Sequence, residues 1–203
     1  MRVAEIYSSI QGEGLLTGVP SVFVRASGCN LRCQFCDTPY ASWQPEGEDL
    51  SVEEILAEVS SRATQHVVLT GGEPMLFAEL VPLCEQLRQL GRHITIETAG
   101  TLYLPLECDL MSISPKLSNS TPAGGISARW RERHERTRRA RRPLLQLLSE
   151  YSYQLKFVVG TRQDVEEALQ LLDHFPQIDR SRVMLMPLGT DPDELLYQGR
   201  WIE

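Results

Sequence analysis

Two hydrophobic periodicities alternate along the chain. Short runs rich in β-branched and other apolar residues predict strands at Ser21 to Ala26, His66 to Thr70, His93 to Glu97, Asp109 to Ser114, Gln154 to Val159 and Val183 to Met186. Helical patterns lie between them. Ser51 and Glu54 have the spacing of a capping box and open a helix reaching Arg62. A second runs from Met75 to Leu90, after Pro74 and before Gly91, as helix-start proline and helix-end glycine require. Thr161 caps a third that ends near His174, and Asp191 with Pro192 starts a last one. Strands that are apolar nearly throughout, spaced by helices, predict an α/β fold with a mostly parallel sheet covered on at least one face. Six strands are too few for a closed eight-stranded barrel, so the expectation is a partial, open TIM-like barrel within a single domain spanning residues 1–203.

Three polar, Gly-rich stretches interrupt this order: Ser8 to Gly18, Gly28 to Gly47 and Pro115 to Gly125. The second is long for a strand-to-helix connection, and such loops usually carry function. It follows the first parallel strand, on the rim where α/β folds bind ligands.

Composition removes several classes. Apolar residues make up 42% and charged residues 23%, as in ordinary globular proteins, and the net charge of −7 argues against direct nucleic-acid binding by the whole chain. No apolar run reaches the roughly 18 residues of a membrane span. The first residues, with Arg2, Glu5 and Gln11, lack the apolar core of a signal peptide, so a cytoplasmic protein is expected. One charge cluster stands out. Arg129 to Arg142 holds eight Arg and two Glu, a local +6 against −13 for the remainder. Its bland reading is a solvated helix face; its functional reading is a dock for a small acidic reductant such as a flavodoxin.

Three of the five cysteines fall within eight positions, Cys29, Cys33 and Cys36, spaced C-x3-C-x2-C. In a reducing compartment such a cluster binds metal or does redox chemistry. Structural zinc closes with four ligands, and no fourth Cys or His lies near. A cubane held by three thiolates leaves one iron open. Zinc with a distant ligand and a cluster used only for electron transfer remain the alternatives from spacing alone. Cys84 and Cys108 sit in apolar surroundings and read as inert core residues. His66 and His93 each open a strand and read as structural.

The triplet, with Phe35 before its last Cys, resembles the signature of the radical S-adenosylmethionine (SAM) superfamily. Leu69-Thr70-Gly71-Gly72-Glu73-Pro74 resembles the same superfamily's Gly-Gly-Glu-Pro motif. Ser9 to Gly14, Thr17 to Pro20, Phe23 to Arg25, Cys36 to Thr38, Glu97 to Thr101 and Ser114 to Leu117 are together similar to the 7-carboxy-7-deazaguanine synthase family, from near residue 4 to about residue 190. The resemblance implies a ring-contracting lyase that converts 6-carboxy-5,6,7,8-tetrahydropterin to 7-carboxy-7-deazaguanine with loss of ammonia, toward queuosine and related tRNA modifications. It implies a 4Fe–4S cluster on the three cysteines, SAM, and Mg²⁺ on Thr38. It places Phe35, Asp37, Gly72, Glu97, Ser114, Pro115 and Lys116 at SAM. Ile10, Gln11, Gly12, Glu13, Arg25 and Thr70 would face the pterin. Expected partners are the pterin, a reductant such as flavodoxin, and a second copy of the chain in a homodimer, with no membrane.

The residues alone say less. Arg25 suits a substrate carboxylate, or pairs with Glu13 or Asp37. Glu13 suits a guanine-like edge, or is simply solvated. Asp37 and Thr38 offer hard oxygens for Mg²⁺, or form an ordinary turn. Glu97 holds a ribose, or pairs with Lys116 or an Arg. Two features depart from the family. Ala99 stands where Ser is frequent, and the C-terminal end is short relative to the family. Two other functions compete: an activase that makes a glycyl radical on a partner protein, and a non-catalytic Fe–S electron carrier. The activase has no use for the Gln11–Glu13 loop, and the carrier has none for Gly71 to Pro74.

Overall fold

The computed structural model describes residues 1–202. Eight strands form one sheet: β1 (Arg2–Ile10), β2 (Pro20–Ala26), β3 (Glu48–Asp49), β4 (His66–Gly71), β5 (His93–Thr98), β6 (Leu110–Ile113), β7 (Tyr153–Val159) and β8 (Val183–Pro187). Their order is β3-β1-β2-β4-β5-β6-β7-β8. From β2 to β8 every pairing is parallel, and the six expected strands are all present. Two further strands extend one edge antiparallel, β1 on β2 and β3 on β1. The two edges do not pair, so the sheet is open.

The helices are α1 (Pro39–Ser42), α2 (Val52–Ser60), α3 (Leu80–Gln89), α4 (Ala128–Arg138), α5 (Arg141–Glu150), α6 (Arg162–Asp173) and α7 (Pro192–Ile202). Both expected capping signals operate. Ser51 and Glu54 form a capping box on α2, and Thr161 forms one on α6 with Asp164. The helix expected from Met75 to Leu90 is divided. Pro74–Leu76 form a 3-10 turn and the α-helix begins only at Leu80, because the backbone extends at Phe77. The helix ends where Gly91 takes φ 70°, a conformation glycine adopts without strain. No described helix is long and apolar enough to cross a membrane.

Side-chain alternation makes the sheet two-sided, and α2, α3, α5 and α6 bury one of its faces. Val22, Val24, Val67, Leu69, Ile94, Ile96, Met111, Ile113, Leu155 and Phe157 are fully or almost fully buried toward the helices. Leu80, Leu83, Cys84 and Leu87 meet them from α3 with i, i+3, i+4, i+7 spacing. Each leucine buried this way stabilises the fold by about 2 kcal/mol. The intervening positions face the concave side: Arg25, Thr70, Thr95, Glu97, Ser112, Gln154 and Lys156. Thr70, Thr95, Ser112, Gln154 and Lys156 are buried too. A buried polar floor in a sheet of this kind binds something, or its groups satisfy one another.

Candidate active site

The cysteine loop leaves β2 at its C-terminal end and is stitched to the Gly-Gly turn that ends β4. Gly72 N–H donates to Ala26 O at 3.1 Å, Glu73 N–H to Gly28 O at 2.8 Å, and Gly28 N–H to Ala41 O at 2.8 Å. A Cβ on Gly72 would lie 2.3 Å from Gly28 O and 2.5 Å from Ala41 O. Gly71 has φ 137°, and a Cβ there would lie 2.1 Å from Ala26 O. The two glycines are therefore required by backbone packing against the loop, before any ligand is considered. Glu73 is fully buried. Its carboxylate accepts from Thr98 Oγ1 at 2.8 Å, Ala99 N–H at 2.9 Å and Met75 N–H at 3.1 Å, tying the ends of β4 and β5 together. Burial pushes its pKa up, against those three donors and Lys116.

The thiols are close enough to influence one another. Burial pushes Cys29 up to about 12, with Glu73, Cys33 and Cys36 adding to the rise. Burial also raises Cys33, while Lys116 acts to lower it. Leu31 N–H points at Cys29 Sγ at 3.4 Å, and Ser42 Oγ lies 3.0 Å from Cys36 Sγ. Lys116 donates to Ser114 Oγ at 2.9 Å. Phe35 and Thr38 are half-buried and Asp37 is exposed.

Across the concave face the charged side chains form two connected groups. In the first, Arg25 Nε donates to Glu5 Oε1 at 2.7 Å and Arg25 Nη2 to Tyr7 Oη at 2.8 Å, while Tyr40 Oη donates to the same Glu5 oxygen at 2.8 Å. In the second, Lys156 Nζ bonds Glu13 and also Glu97 Oε1, the latter at 3.1 Å, and Thr70 Oγ1 donates to Glu97 Oε2 at 2.8 Å. Burial acts to lower Lys156, but Glu97 and Glu13 outweigh it and its pKa is raised. Burial likewise acts to raise Glu97, and Lys156 with Thr70 holds it below the usual carboxylate value. Gln154 closes this end, donating to Ser112 Oγ at 2.8 Å and accepting Leu15 N–H at 2.8 Å.

The comparisons agree from two directions. The Radical SAM superfamily model matches residues 23–195. A 7-carboxy-7-deazaguanine synthase of Rhodopirellula baltica is 45% identical, covering 100% of this chain and 79% of its own length. One from Halobacterium salinarum is also 45% identical, over 96% of this chain and 80% of its own length. This chain belongs to the 7-carboxy-7-deazaguanine synthase family. Among solved structures, QueE from Escherichia coli superposes with a TM-score of 0.69 at 27% identity, covering 99% of this chain and 90% of that one.

Members of the radical SAM superfamily use a 4Fe–4S cluster and SAM, and the donor set here fits both. No group of three His, Cys, Asp or Glu side chains among the described residues converges on the position of a single ion. A cubane asks for something different, since each thiolate takes its own iron. Cys29, Cys33 and Cys36 supply three free thiols on one loop, and a bound cluster would overcome the raised pKa values of Cys29 and Cys33 by its own positive charge.

In this 7-carboxy-7-deazaguanine synthase family member, several expected site residues have partners other than those expected. Arg25 pairs with Glu5, not Glu13 or Asp37. Glu13 is not merely solvated; it pairs with Lys156. Glu97 pairs with Lys156 rather than Lys116. Gln11 is buried and donates one amide N–H to Ser21 Oγ at 3.0 Å, which leaves its carbonyl oxygen and its second N–H for a ligand. Ile10 is exposed, and a Cβ at Gly12 would meet nothing within 4 Å. The residues that sequence reasoning missed are Glu5, Tyr7, Ser112, Gln154 and Lys156. A signal for the last two existed. Gln154 and Lys156 alternate with Leu155 and Phe157, and a lysine inside a buried strand is rare without a paired role.

Proposed function

We propose that the chain converts 6-carboxy-5,6,7,8-tetrahydropterin to 7-carboxy-7-deazaguanine and ammonia in the cytoplasm, as a single domain, feeding deazapurine modification of tRNA. The observation that carries this reading is the concave floor itself. Cationic Arg25 and Lys156 and acidic Glu97 line that face, with Glu5 and Glu13 paired to them, the charges that a small, polar, carboxylated ring needs.

When bound, the cluster and SAM supply a 5′-deoxyadenosyl radical able to take hydrogen from an unactivated carbon. The protein's part is positioning and exclusion of water. Arg25 holds the substrate carboxylate through its planar fork, exchanging its bond to Glu5 or Tyr7 for one to the ligand. Glu13 accepts N–H donors from the guanine-like edge, and Gln11 offers its carbonyl oxygen. Lys156 keeps Glu97 ionised, so it remains an acceptor, and holds Glu13 in place by their ion pair. Thr70 orients Glu97. Phe35 would cover the adenine, Gly72 would present backbone to the SAM amine, and Asp37, Ser114, Pro115 and Lys116 would help to hold SAM. Thr38 would hold a Mg²⁺ ion, whose hard charge would suit substrate oxygens. The reductant is an acidic one-electron protein such as a flavodoxin, and the active unit is a homodimer.

The overall change is redox-neutral, so the hydrogen first removed can be returned and SAM recycled. Substrate deuterated at the carbon bearing the carboxylate should transfer deuterium into SAM, with ammonia equal to product. A cluster-replete protein that cleaves SAM but turns over no pterin overturns the synthase reading and favours the glycyl-radical activase.

A further inference from the structure

The arginine-rich segment was left without a role by the reaction. Its place in the fold is specific. Helix α4 packs directly on the cysteine loop. His134 is fully buried, accepts Arg32 N–H on Nδ1 at 3.1 Å, and lies 3.0 Å from Ser120 Oγ through Nε2. Two guanidinium groups lie over the Trp130 ring, Arg32 at 4.3 Å and Arg133 at 4.8 Å from its centre. Arg32 in turn donates to Cys29 O at 2.9 Å. A continuous path of contacts therefore leads from the outer surface of α4 to the first cluster cysteine.

The outer surface is built against its own stability. Arg129, Arg133 and Arg136 share one exposed stripe at i, i+4 and i+7, where like charges repel and Glu132 is the one carboxylate among them. Arg141 and Arg142 occupy the first turn of α5, which contains no acidic residue, and so face the positive end of that helix dipole. Among the described residues, no carboxylate lies within 4 Å of any of these five, whereas Arg138 and Arg139 are paired with Glu135. Removing the segment's +6 leaves −13 on the rest of the chain, so an acidic protein is drawn to this segment while the net field of the remainder opposes it.

We propose that this arginine surface docks an acidic one-electron carrier protein over the cysteine loop. The inference rests on the cluster assignment above. One electron leaves the carrier's flavin hydroquinone, which becomes the semiquinone, and the cluster gains that electron; no atom is transferred. Trp130 and Arg32 bridge the interface to the loop.

The test uses the full chain with reconstituted cluster and its triple variant Arg129→Glu, Arg136→Glu, Arg142→Glu. All three positions are exposed and unpaired, and a Glu at 142 suits a helix start. Two readouts are made against an acidic flavodoxin at low and high salt: the dissociation constant, and the rate of cluster reduction by the flavodoxin hydroquinone. At low salt both should worsen by about tenfold or more in the variant, and the difference should fade as salt rises. Iron content and reduction by dithionite should be unchanged, which separates docking from the cluster itself. Equal affinity and equal flavodoxin-driven rate in the two proteins overturn the proposal. So does a variant that loses affinity for tRNA while flavodoxin reduces it normally, since the surface would then serve RNA. The binding arm needs no electron transfer, so it decides even if the cluster reading fails.

Discussion

Glu73 and Ala99 are joined by a hydrogen bond of 2.9 Å, from the Ala99 amide to the Glu73 carboxylate, across the ends of adjacent parallel strands. With Thr98 and Met75 also donating, the carboxylate has only acceptor work to do. Replacing it with an amide turns one acceptor into a donor that faces another donor. Glu73→Gln should therefore lose about 2 kcal/mol of stability in chemical unfolding, and should bind SAM more weakly because the Gly71–Gly72 turn is anchored by this residue. An unchanged unfolding midpoint would mean that the amide finds other partners.

The cysteines divide by environment. Cys29→Ala, Cys33→Ala and Cys36→Ala should each abolish the cluster, as read by iron and sulfide content and by electron paramagnetic resonance. Cys84→Ala and Cys108→Ala should keep it, because Cys84 lies in the apolar core and Cys108 packs against that core. Full cluster content in Cys33→Ala contradicts the ligand set.

Lys156 is the cation between two carboxylates. Lys156→Met leaves Glu13 and Glu97 facing each other without it, and should cost about 3 kcal/mol in unfolding experiments as well as raising KM for the pterin. Adding Glu97→Gln should recover part of the stability but not the KM. Recovery of both by the double variant would reduce Lys156 to a structural role.

Magnesium should raise turnover, and Thr38→Ala should weaken that response several-fold while leaving cluster content intact. Equal turnover in chelator and in Mg²⁺ removes the ion from the reaction.

Acid should loosen the anchor of α4. Burial acts to raise Glu135, but Arg138, Thr121 and Arg139 outweigh it and bring its carboxyl from the ordinary 4.5 to about 2. A carboxylate depressed on folding stabilises above its unfolded value, and that contribution is lost as pH falls from about 4.5 toward about 2. The gap in thermal midpoint between the wild type and Glu135→Gln should be full at pH 6 and shrink below pH 4.5. A constant gap means the pair contributes no net charge effect.

Six strands and two caps were legible because each is written locally, in a period or a spacing. β1 was not. Its register shifts between Val3 and Glu5, which breaks the alternation that marks a strand. β3 is only two residues long and carries no pattern. The cysteine and Gly-Gly motifs were legible because their chemistry is carried by residue type. The partners of the charged site residues were not, because pairing follows strand order. Glu5 reaches Arg25 only because β1 lies beside β2, and Lys156 reaches Glu13 across 143 positions of chain.

If the pterin binds this face as proposed, the mutual pairing of its side chains sets how it discriminates. Arg25 and Lys156 already hold anionic partners, so a ligand gains little by arriving with charge alone. It must break an existing pair and replace each bond it displaces. A ring lacking the carboxylate or the N–H edge leaves a buried ion without a counterpart, and that penalty exceeds what a merely snug fit returns. Selectivity in such a cavity comes from rejection of near-analogues more than from attraction to the right molecule.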